Sequence, residues 1–104
     1  MVVLNTEEIQ QFIASNPNKL IIIDFYAQWC GPCKRIEPLV AKLESDYDNK
    51  ILVRKVDVDE SDDFAKTMEI GAMPTFIFIL RGKEIDRHVG SDMDGLNKKI
   101  RQHL

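Results

Sequence analysis

The sequence predicts an α/β domain in which one mixed sheet of five strands is flanked by four helices. The run 20–26 is apolar, β-branched and aromatic with almost no polar alternation, which is typical of a central strand buried on both faces. Strand and helix patterns alternate through the first half of the chain, and such crossovers give parallel strands. The turn Arg81-Gly82-Lys83 lies between two strand patterns and requires an antiparallel pair.

The first half of the chain predicts the order βαβα. Residues 2–4 form a short first strand, and Asn5 with Glu8 makes a capping-box pattern that begins a helix over about 6–15. The buried strand at 20–26 follows. Apolar residues at helical spacing then predict a long helix from the cysteines to about residue 48. We expect a kink at Pro38, because proline lacks a backbone N–H.

The second half predicts the order βαββα. A valine-rich strand covers 51–58, and a short helix follows Ser61. Strands at 75–80 and 85–89 flank the turn at Gly82. A last helix begins after Ser91, so the complete order is βαβαβαββα.

Length and composition predict one globular domain over residues 1–104, with 44% hydrophobic and 30% charged residues. The net charge is −3 with both signs interspersed, which argues against a nucleic-acid partner. The longest apolar runs are too short to cross a membrane. The first residues lack a basic and then apolar signal-peptide pattern, so we expect a cytoplasmic protein. In that compartment, a close cysteine pair is more often catalytic or metal-binding than structural.

Both cysteines lie in the pentapeptide Trp29-Cys30-Gly31-Pro32-Cys33, between the buried strand and a helical pattern. At i and i+3 near a helix start, they share a face with Cβ atoms about 5–6 Å apart, so a disulfide can open and close. A structural disulfide is the first alternative, although so short a loop gains little from closure. A zinc half-site is the second, although the two histidines lie far away in sequence. Redox chemistry is favoured over both.

The position of each cysteine predicts its role. Cys30 lies at a helix N-terminus, where free N–H groups and the helix dipole stabilise a thiolate, so it attacks first. Cys33 lies one turn further, is expected to be more buried, and resolves the intermediate. Gly31 is expected to permit an unusual backbone angle, and Pro32 fixes φ in the first turn of the helix.

Two further residues stand out on physical grounds. Asp24 interrupts an interior strand, so its pKa is expected to be raised by burial. The alternative is a carboxylate that reaches solvent at the strand end. Trp29 precedes the nucleophile, where an exposed indole would shield the thiols and contact a partner. Its alternative is packing in the core.

A longer set of motifs surrounds the cysteines. Asp24-Phe25-Tyr26-Ala27 lies at the end of the buried strand, just before the pentapeptide. Met73-Pro74-Thr75 leads into the strand at 75–80. With the glycine-turn hairpin, these motifs resemble the thioredoxin family over essentially the whole chain. The resemblance implies the thioredoxin fold and a protein-disulfide reductase that binds no cofactor or metal.

The resemblance also implies partners and residue roles. Disulfide-containing client proteins are the substrates, an NADPH-dependent thioredoxin reductase recycles the enzyme, and a monomer is expected without nucleic acid or membrane. Asp24 is the general acid/base for Cys33, and Lys55 on the neighbouring strand can pair with it, unless it is a plain solvated lysine. Met73, Pro74 and Thr75 form a cis-proline loop that faces the cysteines and binds substrate.

Gly90 is expected to line the same groove because it has no side chain, unless it is simply a turn that ends the strand. The proline at position 32 resembles reducing members of the family. Two other functions remain open. One is an oxidase or isomerase in an oxidising compartment, and the other is a redox-gated binding module on the same fold.

Overall fold

The computed structural model describes residues 2–104, and in this range it contains five helices and four strands. The helices are α1 Thr6–Ser15, α2 Gly31–Val40, α3 Leu43–Asp46, α4 Asp62–Thr67 and α5 Met93–Gln102. The strands are β1 Leu20–Tyr26, β2 Ile51–Asp57, β3 Thr75–Leu80 and β4 Lys83–Val89.

The strands form one mixed sheet in the order β2-β1-β3-β4. The pair β1 and β2 is parallel, whereas β3 is antiparallel to both β1 and β4. Arg81 and Gly82 have φ of 52° and 77°, which is the geometry of a two-residue hairpin turn, and Leu80 pairs directly with Lys83. The predicted mixed sheet, central strand and hairpin are therefore confirmed.

The predicted first strand at residues 2–4 is wrong, so the described sheet has four strands rather than five. Val3 makes only an isolated parallel bridge to Lys55. Two backbone hydrogen bonds join this segment to Lys55, from Leu4 N–H at 2.9 Å and to the Val2 carbonyl at 3.0 Å. The segment cannot extend further, because the capping box of Asn5 and Glu8 already begins α1.

The predicted long helix after the cysteines is divided in two, which gives five helices rather than four. Helix α2 ends at Val40 and α3 begins at Leu43, a few residues beyond Pro38. At the break, the N–H of Lys42 bonds to the carbonyl of Leu39, three residues back. This tighter turn lets both Val40 and Leu43 face the core, where each is only 1% exposed.

The sheet separates two hydrophobic cores, and this arrangement positions Asp24. Leu20 and Ile22 of β1 pack on one face with residues of α2, α3 and α5. Ile21 and Ile23 pack on the other face with residues of α1 and α4. Because side chains alternate along a strand, Asp24 points to the face that α2 covers.

Candidate active site

The two cysteines lie where β1 ends and α2 begins. Cys30 is the N-cap of α2, with φ −83° and ψ 107°, and its Sγ accepts a hydrogen bond of 3.2 Å from the backbone N–H of Cys33. The two residues are joined as a disulfide, with their Cα atoms 5.3 Å apart. Pro32 lies in the first turn of the helix, where a missing N–H costs nothing.

The backbone of Gly31 is not unusual, and that prediction is wrong. Gly31 is the first residue of α2, and its φ is not in the positive region that favours glycine. The change of direction is made by Cys30, which has the extended backbone of an N-cap. A Cβ at Gly31 would meet no atom within 4 Å, so open space lies above the helix start.

The prediction that Cys33 is more buried than Cys30 is also wrong. Cys30 is 5% exposed and Cys33 is 7% exposed. Met73 and Tyr26 pack against the cluster that the two cysteines form with Ala27. The Sγ of Cys30 lies 3.7 Å from the carbonyl oxygen of Met73, so the loop that precedes β3 covers the first cysteine.

That loop faces the cysteines, as the family resemblance implies. The Met73–Pro74 peptide bond is cis. Thr75 is buried, and its Oγ1–H donates a 2.6 Å hydrogen bond to the carbonyl of Ala72. The carbonyl of Pro74 accepts a 3.0 Å hydrogen bond from the N–H of Gly90. Gly90 has φ +116°, a conformation that requires glycine, so it does more than end a strand.

Trp29 lies on the surface, and the alternative of core packing is wrong. The residue is 68% exposed. The indole Nε1–H donates a 2.9 Å hydrogen bond to Oδ2 of Asp59, which follows β2. This bond fixes the ring beside the cysteines while leaving most of its area open to a partner.

Asp24 is buried, and the alternative of a carboxylate that reaches solvent is wrong. The residue is 5% exposed, and its Oδ1 has no hydrogen-bond partner among the residues that the structure describes. Burial raises the pKa of Asp24 to about 7, because the ionised form loses its hydration. The positive charge of Lys55 opposes this rise, and the negative charge of Glu37 adds to it.

Lys55 is 6% exposed and is therefore not a solvated lysine. It is the register partner of Asp24 across the parallel pair β1 and β2. Its ammonium, however, lies 3.5 Å from Oε1 of Glu37 and 3.9 Å from the centre of the Tyr26 ring. Within residues 2–104, no ion pair joins it to Asp24.

The histidines do not complete a zinc site with the cysteines. His88 Nε2 lies 2.9 Å from a carboxylate oxygen of Asp92, and His103 Nε2 lies 2.9 Å from one of Asp86. No group of three or more candidate metal ligands occurs in the described chain.

Within residues 2–104, no helix has both the length and the apolar character needed to cross a membrane.

Comparison with known proteins decides the family. The Thioredoxin family model matches residues 1–102. The chain belongs to the thioredoxin family. It is 40% identical over 101 residues to Thioredoxin-T of Drosophila melanogaster, covering 97% of this chain and 64% of that protein. It is 51% identical over 86 residues to Thioredoxin H7 of Arabidopsis thaliana, covering 83% and 66%.

The chain thus spans slightly less than two thirds of the length of these two curated relatives. Among solved structures, thioredoxin of Fasciola hepatica has a TM-score of 0.94 and 40% identity, with 100% of both chains covered. This agreement confirms the thioredoxin fold that the sequence predicts. The structure of residues 2–104 differs from the prediction in the numbers of elements, with four strands and five helices where five strands and four helices were predicted.

Two residues of this site, Glu37 and Tyr26, were not predicted as site residues from the sequence. Glu37 follows Cys33 by four residues, so helical spacing places both on one side of α2. Tyr26 follows Asp24 by two residues in a strand and therefore points to the same face. The ring hydroxyl of Tyr26 has a raised pKa, chiefly because it is partly buried. A cavity of about 370 Å³ adjoins these groups and is lined by Tyr26, Ala27, Gln28, Cys33, Lys34 and Glu37.

Proposed function

We propose that this protein is a thiol-disulfide reductase that reduces disulfides in client proteins. The observation that carries the proposal is the pairing of Cys30 and Cys33 at the N-terminus of α2, opposite the Met73–Pro74 loop. Membership of the thioredoxin family supports the same activity. The reaction has two exchange steps, which this geometry can perform in sequence.

The first step uses Cys30 as the nucleophile. In the reduced protein, the N–H of Cys33 and the positive end of the α2 dipole stabilise the Cys30 thiolate. The thiolate attacks one sulfur of the client disulfide and forms a mixed disulfide. The other client sulfur leaves with the electron pair of the broken bond and takes a proton from solvent.

The second step uses Cys33 as the resolving thiol and Asp24 as its base. The Asp24 carboxylate accepts the proton of Cys33, and a pKa of about 7 keeps both forms of this carboxyl populated near neutral pH. The Cys33 thiolate attacks the Cys30 sulfur, and the second client sulfur leaves as a thiolate that is then protonated. Two electrons pass to the client, and the Cys30–Cys33 disulfide remains.

The client binds beside the cis-proline loop. The carbonyl of Met73 lies next to the Cys30 sulfur, so an extended segment that pairs with this backbone brings its own sulfur to Cys30. Gly90 leaves room for that segment, and Thr75 holds the loop through its bond to Ala72. Trp29 adds exposed aromatic area to the same surface.

The remaining parts of the proposal concern tuning and partners. Pro32 rigidifies the first turn of α2 and keeps the pair reducing, whereas Gly31 leaves the surface above the cysteines open. An NADPH-dependent thioredoxin reductase restores the dithiol, so the chain itself needs no cofactor. We place the protein in the cytoplasm, as a monomer.

Insulin reduction tests this function. Wild type should precipitate the insulin B chain with dithiothreitol as the electron source, and Cys30→Ser should show no turnover. Cys33→Ser should instead accumulate a mixed disulfide with insulin through Cys30, which mass spectrometry detects. An inactive wild type that still binds a partner in a redox-dependent manner would show that the chain is a binding module. Net oxidation of reduced client thiols would show an oxidase.

A further inference from the structure

The ion pair between Lys55 and Glu37 carries a further inference. Lys55 lies on β2 with its side chain almost fully buried, whereas the side chain of Glu37 on α2 is 52% exposed. A buried ammonium requires compensation, and here it comes from the carboxylate at 3.5 Å and the Tyr26 ring at 3.9 Å. The register neighbour Asp24 does not form that pair, although it is buried beside the lysine.

These groups converge on one face of the sheet. Asp24 and Tyr26 project from β1, and Lys55 projects from β2, towards the side that α2 covers. Glu37 lies one helical turn beyond Cys33, and both line the same cavity of about 370 Å³. Glu37 therefore lies where the cavity meets solvent, and it holds the lysine from that side.

Few charged groups on the elements around Asp24 can act on its carboxyl. Strand β3 contributes only the uncharged residues Phe76 and Thr75 opposite this part of β1. Asp57 of β2 is bonded elsewhere, to the Gln28 amide and to the backbone N–H groups of residues 59 and 60. The charges that act on Asp24 are those of Lys55 and Glu37, and the other titratable groups at the adjoining cavity are Tyr26, Cys33 and Lys34.

We propose that Glu37 is a positioning residue for the resolving step: it pairs with the buried Lys55 ammonium and keeps it from pairing with Asp24, so that Asp24 keeps its affinity for the Cys33 proton. The inference rests on the proposed function and names a regulator of its proton transfer. Without Glu37, the ammonium would still act on the buried carboxyl of its register partner Asp24, whereas the Asp57 carboxylate is already held by hydrogen bonds. Pairing with Lys55 would stabilise ionised Asp24 and make it a weaker base.

The decisive variant is Glu37→Gln, which keeps the size of the side chain and removes its charge. We expect the titration midpoint of the Asp24 carboxyl, followed by carbon-detected NMR, to move to lower pH by about half a unit, a roughly threefold loss of proton affinity. The measurement uses the disulfide form, in which neither cysteine titrates. The matched control is Glu7→Gln on α1, which packs on the opposite face of the sheet.

A second background separates positioning from a direct effect of charge. In Lys55→Met, the further change Glu37→Gln should shift the Asp24 midpoint less than it does with Lys55 present, because only the direct charge effect of Glu37 remains and no ammonium is released. A shift of the same size in that background would overturn the proposal, since the whole effect of Glu37 on Asp24 would then be direct. An unchanged midpoint in Glu37→Gln alone would also overturn it, even if Lys55→Met failed to fold.

A kinetic readout completes the test. The pH profile for resolution of a Cys30 mixed disulfide should move to lower pH in Glu37→Gln and stay in place in Glu7→Gln. An unmoved profile in Glu37→Gln contradicts the positioning role while leaving the reductase function intact. Because the NMR titration needs no turnover, a wild type that fails to reduce insulin is distinguishable from a failure of this inference.

Discussion

The backbone N–H of Cys33 points at the Sγ of Cys30 across 3.2 Å. This is the geometry in which a helix N-terminus stabilises a negative charge on a capping side chain. The two cysteines are almost equally buried, so accessibility cannot decide which one reacts first. The difference between them lies in the hydrogen bond and the helix dipole, which act on Cys30.

In the reduced protein, the Cys30 thiol should therefore have a pKa below the usual value of about 8.5. Iodoacetamide should alkylate Cys30 first near neutral pH, and peptide mass spectrometry identifies the modified residue. Thiolate absorbance of Cys33→Ser against pH gives the Cys30 titration directly. Equal alkylation of the two cysteines would contradict the assigned roles.

Stability should depend on pH through Asp24. Its pKa is about 7 in the folded chain, against an ordinary value of 3.8, so the folded state binds the proton more tightly. The stabilising effect of this proton is complete below the unfolded pKa and is lost as the pH rises through the folded pKa. Asp24→Asn should thus raise the free energy of unfolding at neutral pH by up to about 4 kcal/mol, with little effect near pH 3.

Urea unfolding of wild type and Asp24→Asn at a series of pH values measures this effect. Asp62→Asn is the matched control, since Asp62 is exposed and pairs with exposed Lys66 four residues on. A gap between wild type and Asp24→Asn that did not change with pH would show that the carboxyl is not buried in its neutral form.

Gly90→Ala should destabilise the protein by about 1–2 kcal/mol, because φ +116° is strained for any residue with a Cβ. The added methyl itself would meet Asp92 Oδ1 at 3.5 Å, an ordinary contact, so the cost comes from the backbone. Denaturant unfolding measures it. The control Gly71→Ala has neither a positive φ nor a neighbour within 4 Å, and a similar loss there would refute the explanation.

Trp29→Ala should separate binding from stability. Because the residue is 68% exposed, its removal should change the free energy of unfolding by no more than about 0.5 kcal/mol. The KM for insulin should rise several-fold, since exposed aromatic area beside Cys30 is lost. Trp29→Phe keeps a ring but loses the hydrogen bond to Asp59, so its KM should lie between those of wild type and Trp29→Ala. Unchanged KM in both variants would remove Trp29 from the binding surface.

The sequence was sufficient for the features set by local pattern. The apolar run at 20–26 identified the central strand, and Gly82 identified the hairpin, because each depends on residues close together in the chain. Asp24 was found because an ionised carboxylate is unfavourable inside an apolar strand, so burial is expected to raise its pKa. The cis-proline loop followed from resemblance to the thioredoxin family, since composition alone does not distinguish cis from trans.

The errors arise where tertiary contacts decide. Met73 comes from a distant part of the chain to cover Cys30, so the burial order of the cysteines could not be read from their positions in the helix. The break between Val40 and Leu43 depends on where the core lies. The resemblance implied that Lys55 lies near Asp24, and the strand register agrees, but which carboxylate pairs with the ammonium depends on how α2 packs.

The reduction potential of the Cys30–Cys33 couple tests the central claim most directly. Equilibration with a glutathione redox buffer, followed by quantification of the dithiol and disulfide forms, gives this value. We predict a strongly reducing couple with a reduction potential of about −270 mV, as expected of a thioredoxin that reduces its clients. A value near about −120 to −180 mV, in the range of proteins that oxidise or isomerise disulfides, would contradict the reductase function.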